Sequence, residues 1–260
     1  MQSLRIGKIN YLNLFPIFKS LEDDKDVPSF EIIEGVPSRL NKMLREGQID
    51  VSPSSSIEYL RNRDLYEIIE GHSISSFGTV GSILLFSNKI IEELNGQTIL
   101  TSSQSETSVA LLDIILRRFY CYNVNLISSN INYSDVLNSN QNYLLIGDDA
   151  LIAKKRAPRL YIYDLGDIWF RKTNLPFVFA LWIVRKDSAL NKRAQLEAFK
   201  KSLDKAKKRA LSNLKYLASI SYLKGILSEE EIVSYWEYIS FDLEAEHLKG
   251  LELFDSYIRE

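Results

Sequence analysis

Eight consecutive apolar residues, Phe177-Val178-Phe179-Ala180-Leu181-Trp182-Ile183-Val184, stand between Pro176 and Arg185. The run is too short to span a bilayer and too unbroken to leave one face wet, so it reads as a strand covered on both faces. A second apolar stretch, Val80 to Ser87, carries Ser82. Between these two strands lies a block with its own alternation of strand and helix, and no Gly- or Pro-rich linker sets it apart. The pattern predicts an α/β protein of two lobes. Residues 1–83 and 184–260 form an outer lobe with C-terminal helices, and residues 84–183 form an inserted middle lobe. Such a layout predicts a ligand cleft between lobes, where the loops at strand ends converge.

The cadence within the lobes is regular. Leu4 to Ile9 is a first strand, and Leu14, Ile17, Phe18 and Leu21 follow at helical spacing. Pro16 fits only the first turn of that helix. Phe30 to Glu34 is a second strand. Gly35 to Ser38 opens a helix that faces inward with Leu40, Met43 and Leu44, and Gly47 suits its left-handed C-terminal residue. Ile49 to Ser52 is a third strand, followed by a helix from Ile57. Strand and helix in alternation predict a parallel sheet. In the middle block, Thr98 to Thr101 is a strand, Ser102 to Ser108 a hydroxyl-rich loop, and Val109 to Tyr120 a helix. Arg117 and Arg118 lie at its C-terminal end, where the dipole favours cations. Val124 to Ile127 and Tyr143 to Gly147 are further strands, while Gly71-His72-Ser73 reads as a polar loop. After Asn191 the chain is helical, with Ser228 and Glu231 at the spacing of a capping box.

Composition narrows the function. The 260 residues carry 32 Lys+Arg against 34 Asp+Glu, a net charge of −2, which argues against a nucleic-acid partner. Cys121 is the only cysteine, so neither an internal disulfide nor a cysteine-rich metal site is expected. His72 and His247 are the only histidines, and no H-E-x-x-H occurs, so a catalytic metal site is not expected. No apolar run reaches ~18 residues, and the first residues do not read as a secretory signal. The chain is expected in the cytoplasm, with no membrane and no protein partner. Walker A, G-x-G-x-x-G and G-x-S-x-G patterns are all absent.

Small hydroxyl residues at predicted helix starts are the candidates for chemistry. Ser54-Ser55-Ser56 is one cluster, and Ser105, Thr107 and Ser108 form another. Either they cap the helices that follow, or their hydroxyls and the exposed N–H groups hold an anion, two clusters suiting a ligand with two carboxylates. Asn13 has the same two readings, cap or ligand contact, and so does Asp148 after Gly147. His72 suits surface and cleft equally. His247 and Cys121 read as structural, the latter as a packed thiol. The lysines of 200–209 read as a solvated helix face.

Many of these residues recur in the order found in a known family. Arg5-Ile6-Gly7, Tyr11-Leu12-Asn13 and Pro16 come first. Gly35-Val36-Pro37, Leu40-Asn41, Gly47, Asp50-Val51 and Ser54–Ser56 with Tyr59 follow. Next come Ser76, Gly78, Val80 and Ser82, then Ser105-x-Thr107-Ser108 and Ile146-Gly147-Asp148. Asp164-Leu165-Gly166 with Trp169, and Leu175 to Ala180 with Trp182, complete the series. Together they resemble the chorismate dehydratases of menaquinone biosynthesis.

That resemblance implies a fold like the type II periplasmic solute-binding proteins. It also implies loss of water from chorismate to give 3-[(1-carboxyvinyl)oxy]benzoate in the futalosine route. Removing the ring proton beside the enolpyruvyl ether and expelling the neighbouring hydroxyl makes the ring aromatic, so the drive lies in the substrate and no redox cofactor or metal is needed. The substrate's own side-chain carboxylate is then a candidate base. By resemblance Asn13 positions the ring or its leaving hydroxyl, and Ser82 holds the substrate or assists loss of the hydroxyl. Ser54, Ser55, Ser56, Ser105, Thr107 and Ser108, with Gly147 and Asp148, bind the carboxylates. Two rivals stand beside this reading. One is the 1,4-dihydroxy-6-naphthoate synthase of the same pathway, which needs a histidine in the second lobe, where 84–183 has none. The other is a cytoplasmic carboxylate-binding protein without catalysis.

Overall fold

The structure, a computed structural model, describes residues 3–24, 30–102, 105–137, 141–157 and 159–259. In chain order the elements are β1 (Arg5–Lys8), α1 (Phe15–Glu22), β2 (Glu31–Glu34), α2 (Pro37–Arg45), β3 (Val51–Ser55), α3 (Ser56–Arg61), β4 (Tyr66–Ser76) and β5 (Ile83–Ser87). Then come β6 (Thr98–Ser102), α4 (Glu106–Ile114), β7 (Asn125–Ser129), α5 (Tyr133–Leu137), β8 (Asn142–Ile146), α6 (Gly147–Arg156), β9 (Tyr161–Asp164), α7 (Leu165–Thr173) and β10 (Phe177–Arg185). The chain ends in α8 (Lys186–Asn191), α9 (Arg193–Ser212), α10 (Leu214–Ser219), α11 (Glu229–Tyr238) and α12 (Ala245–Arg259).

Met1–Ile74, Ala180–Glu237 and Phe241–Leu243 make one compact unit, and Ser75–Phe179, Tyr238–Ser240 and Glu244–Glu260 make the other. The divisions thus fall inside β4 and β10, not at 83 and 184. The C-terminal helix α12 belongs to the second unit rather than to the outer lobe. Aromatic packing explains this. Phe254 of α12 meets Phe177 at 4.9 Å between ring centres, and Tyr257 meets Trp169 at 6.2 Å. Gly250 lies so close to the Pro176 carbonyl that no side chain would fit there.

The sheet of unit 1 runs β2-β1-β3-β10-β4, with β1 parallel to β2 and to β3, and β10 antiparallel to β3. The sheet of unit 2 runs β7-β6-β8-β5-β9, with β6 parallel to β7 and β8, and β5 antiparallel to β8 and β9. Both sheets are mixed, not wholly parallel. The strands joined by helices run parallel, as a crossover requires, whereas β10 and β5 enter their sheets from the other unit. β10 is buried along nearly its whole length, as its apolar run demands. Its Trp182 packs against Phe18 of α1 and Phe199 of α9 at 5.5 and 5.8 Å.

Helix ends follow local rules. Pro16 sits in the first turn of α1. α2 closes in a Schellman motif, where Gly47 has φ 73° and the N–H groups of Gly47 and Gln48 reach the Leu44 and Met43 carbonyls at 3.1 and 2.8 Å. Before α11, the Ser228 N–H donates to Glu231 Oε2 at 2.6 Å and the Glu231 N–H to Ser228 Oγ at 3.2 Å. The expected helix 109–120 is α4 continued by a π-helical stretch, Ile115–Phe119. Gly71-His72-Ser73 is not a loop but part of β4.

One carboxylate ties unit 1 together. Asp50 stands at the start of β3, buried, and accepts from the Arg5 N–H at 2.7 Å and the Arg5 guanidinium at 2.9 Å. The Ser188 hydroxyl donates to it at 2.8 Å and the Lys192 ammonium at 2.6 Å. Burial pushes its carboxyl up, but these donors outweigh burial and hold it at about 2. The native chain therefore binds fewer protons here than the unfolded chain between pH 4 and pH 2. The stabilisation, about 2 kcal/mol by linkage, is present above pH 4 and lost as pH falls through 2. Asp50→Asn, which leaves Arg5 and Lys192 without their counter-charge, should cost about 3 kcal/mol in urea unfolding at pH 7. The gap between parent and variant should narrow as pH drops from 4 to 2; a gap independent of pH would contradict this account.

Candidate functional site

In unit 1 the carboxyl ends of β1, β2 and β3 lie on one edge of the sheet, the edge where open α/β sheets hold ligands. The turn after β1 is fixed by the main chain, since the Leu14 and Phe15 N–H groups reach the Tyr11 carbonyl at 3.0 and 3.1 Å. The Trp236 indole N–H also donates to the Leu12 carbonyl at 2.7 Å. Asn13 is therefore held in place, but it caps nothing: the residue before α1 is Leu14, with no side-chain cap. Its Oδ1 is buried with no hydrogen-bond partner.

The serine cluster divides. Ser54 lies within β3 opposite Leu181, fully buried, and its Oγ has no partner. Ser55 is the cap of α3, accepting from the Glu58 N–H at 3.4 Å and from Asn41 Nδ2 at 3.4 Å. Ser56 is the first residue of α3, which is only six residues long, so its dipole contributes little at this edge. Asn41, in the second turn of α2, adds a third buried and unpartnered atom, its Oδ1. Sequence reasoning left Asn41 out of the site. The available signal was an amide in a helix interior, where asparagine is a poor helix former unless its side chain has work elsewhere.

In unit 2 the matching edge holds the carboxyl ends of β6 and β8 and the start of β5. Ser105 caps α4: its Oγ accepts from the Ser108 N–H at 3.2 Å and donates to Ser108 Oγ at 2.8 Å. Thr107 and Ser108 are buried. Residues 103 and 104 of the expected hydroxyl-rich loop lie outside the described residues. Gly147 opens α6 with φ 58°, and its N–H donates to the Ser82 carbonyl at 2.8 Å. Asp148 is inside the first turn of α6 and does not cap it; the preceding residue, Ile146, makes no side-chain cap. Ser82 precedes β5 rather than lying on it, because the strand starts at Ile83, opposite Ile146.

Asp164, at the end of β9, was not singled out as a site residue. Its Oδ1 accepts from the Gly166 and Asp167 N–H groups at 3.0 and 3.2 Å, capping α7. Its Oδ2 accepts from Val80 and Gly81 at 3.1 and 2.7 Å, just upstream of Ser82. Burial raises its carboxyl above the ordinary value against the pull of these donors.

His72 and Cys121 are placed differently from expectation, and His247, buried in α12 as a structural residue, lies in the other unit. His72 is buried in β4, with Nε2 2.8 Å from Asp204, and burial lowers its pKa. His247 belongs to unit 2, so the second lobe does contain a histidine. Its Nδ1 accepts from the Glu244 N–H at 3.0 Å, which leaves the proton on Nε2, 3.1 Å from Ser240 Oγ. In that tautomer the ring donates to Ser240 and cannot take its proton. Cys121 is exposed with φ 58°, not packed, because the π-helical stretch ends in a left-handed turn there. Among the described residues no three His, Cys, Asp or Glu gather as a metal-ligand set, and no helix is long and apolar enough to cross a membrane.

Two α/β units, each with a mixed sheet and polar groups at its carboxyl edge, define the periplasmic-binding-protein class of fold. Solved structures agree. A protein from Archaeoglobus fulgidus matches with TM-score 0.79 and 16% identity, covering 99% of this chain and 97% of that one. The periplasmic aliphatic sulphonate binding protein of Escherichia coli matches with TM-score 0.68 and 13% identity, covering 100% and 92%. Within this class the chain belongs to the menaquinone-biosynthesis family, whose sequence pattern matches residues 4–260. The chorismate dehydratase of Thermus thermophilus is 27% identical over 239 residues, 84% of this chain and 81% of its own length. That of Campylobacter jejuni is 31% identical over 194 residues, 72% and 70%.

A buried hydroxyl without a partner costs stability when no ligand is bound. Ser54→Ala should therefore raise the ligand-free chain's stability by about 1 kcal/mol, seen as a higher midpoint of thermal unfolding. A lowered midpoint would mean that the Ser54 hydroxyl is satisfied within the protein.

Proposed function

We propose that this chain is a chorismate dehydratase, a carbon–oxygen lyase that converts chorismate to 3-[(1-carboxyvinyl)oxy]benzoate in menaquinone biosynthesis by the futalosine route. The observation that carries the reading is that three amide or hydroxyl oxygens of unit 1 are buried without partners: Asn13 Oδ1, Asn41 Oδ1 and Ser54 Oγ. Two are carbonyl acceptors and one is a hydroxyl. A ligand of carboxylates alone offers only acceptors and would leave both amide oxygens unsatisfied; a ligand that also carries a hydroxyl has one proton to donate and so satisfies one of them. Chorismate bears two carboxylates and a ring hydroxyl beside its enolpyruvyl ether.

In this reading Asn13 accepts from the ring hydroxyl and fixes the ring, while Ser82 donates to the same oxygen as it leaves. Ser54, Ser55 and Ser56 bind one carboxylate. Ser105, Thr107 and Ser108 bind the other, beside Gly147 and with the N–H group of Asp148 at the start of α6. The substrate's side-chain carboxylate takes the ring proton next to the ether, the carbon–oxygen bond to the hydroxyl breaks, and water and an aromatic ring result. Holding base, proton and leaving group in line lowers the barrier by several kcal/mol, about 7–11 at most.

Purified protein mixed with chorismate, with no cofactor added, should give a product lighter by one water with a new aromatic absorbance. Chorismate recovered unchanged would overturn the proposal. Binding by calorimetry would then identify a receptor without catalysis. Asn13→Ala should lower turnover by ~100-fold or more, about 3 kcal/mol of barrier, while calorimetric binding of chorismate persists. Equal losses in binding and turnover would assign Asn13 to affinity alone.

A further inference from the structure

We infer that Asp164 is a positioning residue that sets Ser82, through a carboxylate whose two oxygens have separate tasks. This rests on the role given to Ser82 above. Oδ1 takes the helix: the N–H groups of Gly166 and Asp167 donate to it at 3.0 and 3.2 Å, and the Val80 N–H is 3.2 Å away. Oδ2 takes the loop before Ser82: the Gly81 N–H donates to it at 2.7 Å and the Val80 N–H at 3.1 Å. The same loop is held from two further sides. Ser76 Oγ donates to the Gly78 carbonyl at 2.8 Å, and the Gly147 N–H donates to the Ser82 carbonyl at 2.8 Å. Gly81 and Gly78 sit at φ 76° and 99°, so the main chain turns sharply on each side of the clamped N–H groups. Gly166 completes the arrangement, because a Cβ there would lie 2.5 Å from the Gly78 carbonyl oxygen. Leu84 pairs with Asp164 across β5 and β9, so the carboxylate and the residues that flank Ser82 share one register.

A cap for α7 needs only one acceptor, which serine, threonine or asparagine would supply. The second oxygen is what the clamp requires. Asp164→Asn keeps an acceptor for Gly166 and Asp167 but turns an NH2 toward the Gly81 N–H, so it releases the loop and retains the cap. Gly166→Ala leaves the carboxylate in place and pushes on the loop from the other side.

The test is chorismate turnover and thermal unfolding of the full chain with Ser82→Ala, Asp164→Asn, Gly166→Ala and the double variant S82A/D164N. Asp164→Asn is expected to lower kcat by 10- to 100-fold, the range a displacement of about 1 Å can cause, with KM changed less than threefold and the unfolding midpoint close to the parent. The double variant is expected to be no slower than Ser82→Ala alone, because Asp164 acts through Ser82. Full kcat in Asp164→Asn beside a slow Ser82→Ala overturns the positioning role while the site reading stands. Multiplying losses in the double variant also overturn it. Normal turnover in Ser82→Ala overturns the assignment of Ser82 on which the inference rests. If Asp164→Asn does not fold, Gly166→Ala decides: a fall in kcat at unchanged KM supports the clamp, and full activity overturns it.

Discussion

The Asp50 carboxylate is the fixed point of unit 1. It receives charge from Arg5 of β1 and Lys192 ahead of α9, and a hydroxyl from Ser188 of α8, while its main-chain carbonyl accepts from Arg185 at the end of β10. Two segments far apart in sequence, one at Arg5 and one from Arg185 to Lys192, converge on one residue at the amino end of β3. A buried charge is tolerated only when it is paired and fully hydrogen-bonded, so any slip of these segments leaves a charge stranded. The pairing therefore fixes β1 beside β3 at one end. By that means it fixes where their other ends deliver Asn13 and Ser54.

The parts of the fold legible in the sequence are those where burial imposes a period. The apolar run of 177–184 is β10, and the caps at Pro16, Gly47 and Ser228 are where their residue types predict. β4 was missed from Tyr66 to Ser76 because its sequence, YEIIEGHSISS, carries glycine, histidine and five serines or glutamates at places where a strand would show apolar alternation. Its polar groups are satisfied by distant partners, such as Asp204 for His72 and the Asp242 carbonyl for Ser73, that no local pattern announces. Strand direction was equally hidden. Alternation of strand and helix cannot distinguish a strand entered by a crossover from one entered from another unit. The place of α12 depends on aromatic contacts to Trp169 and Phe177, which are more than seventy residues away.

The candidate site was legible as a set of residue types and not as a set of engaged or unengaged polar atoms. Hydroxyl residues at helix starts suggested both caps and ligands, and within one cluster the structure shows different engagement: Ser55 caps α3, whereas Ser54 Oγ has no partner. The useful distinction is satisfaction, which depends on tertiary surroundings. Asn41 and Asp164 were not singled out for the same reason. What sets them apart is how single atoms are engaged: Asn41 Oδ1 has no partner, whereas the second carboxylate oxygen of Asp164, beyond what the cap uses, holds the Val80 and Gly81 N–H groups. A residue's leftover valence is a property of the fold.

A fold of the binding-protein class is well matched to a reaction whose drive comes from the substrate. When aromatisation supplies the free energy and a substrate carboxylate supplies the base, the protein's task reduces to holding one conformer and solvating the departing oxygen. Rigid main-chain turns and uncharged donors suit that task, because they neither compete for the proton nor need to change protonation state. The tautomer of His247 fits the same logic: held by the Glu244 N–H, it donates to Ser240 and is withdrawn from proton transfer. Polar atoms buried without partners lower the stability of the empty chain and raise its affinity for a ligand that completes them. Under the proposed function, the same atoms would link a destabilised ligand-free state to selectivity for a hydroxylated substrate.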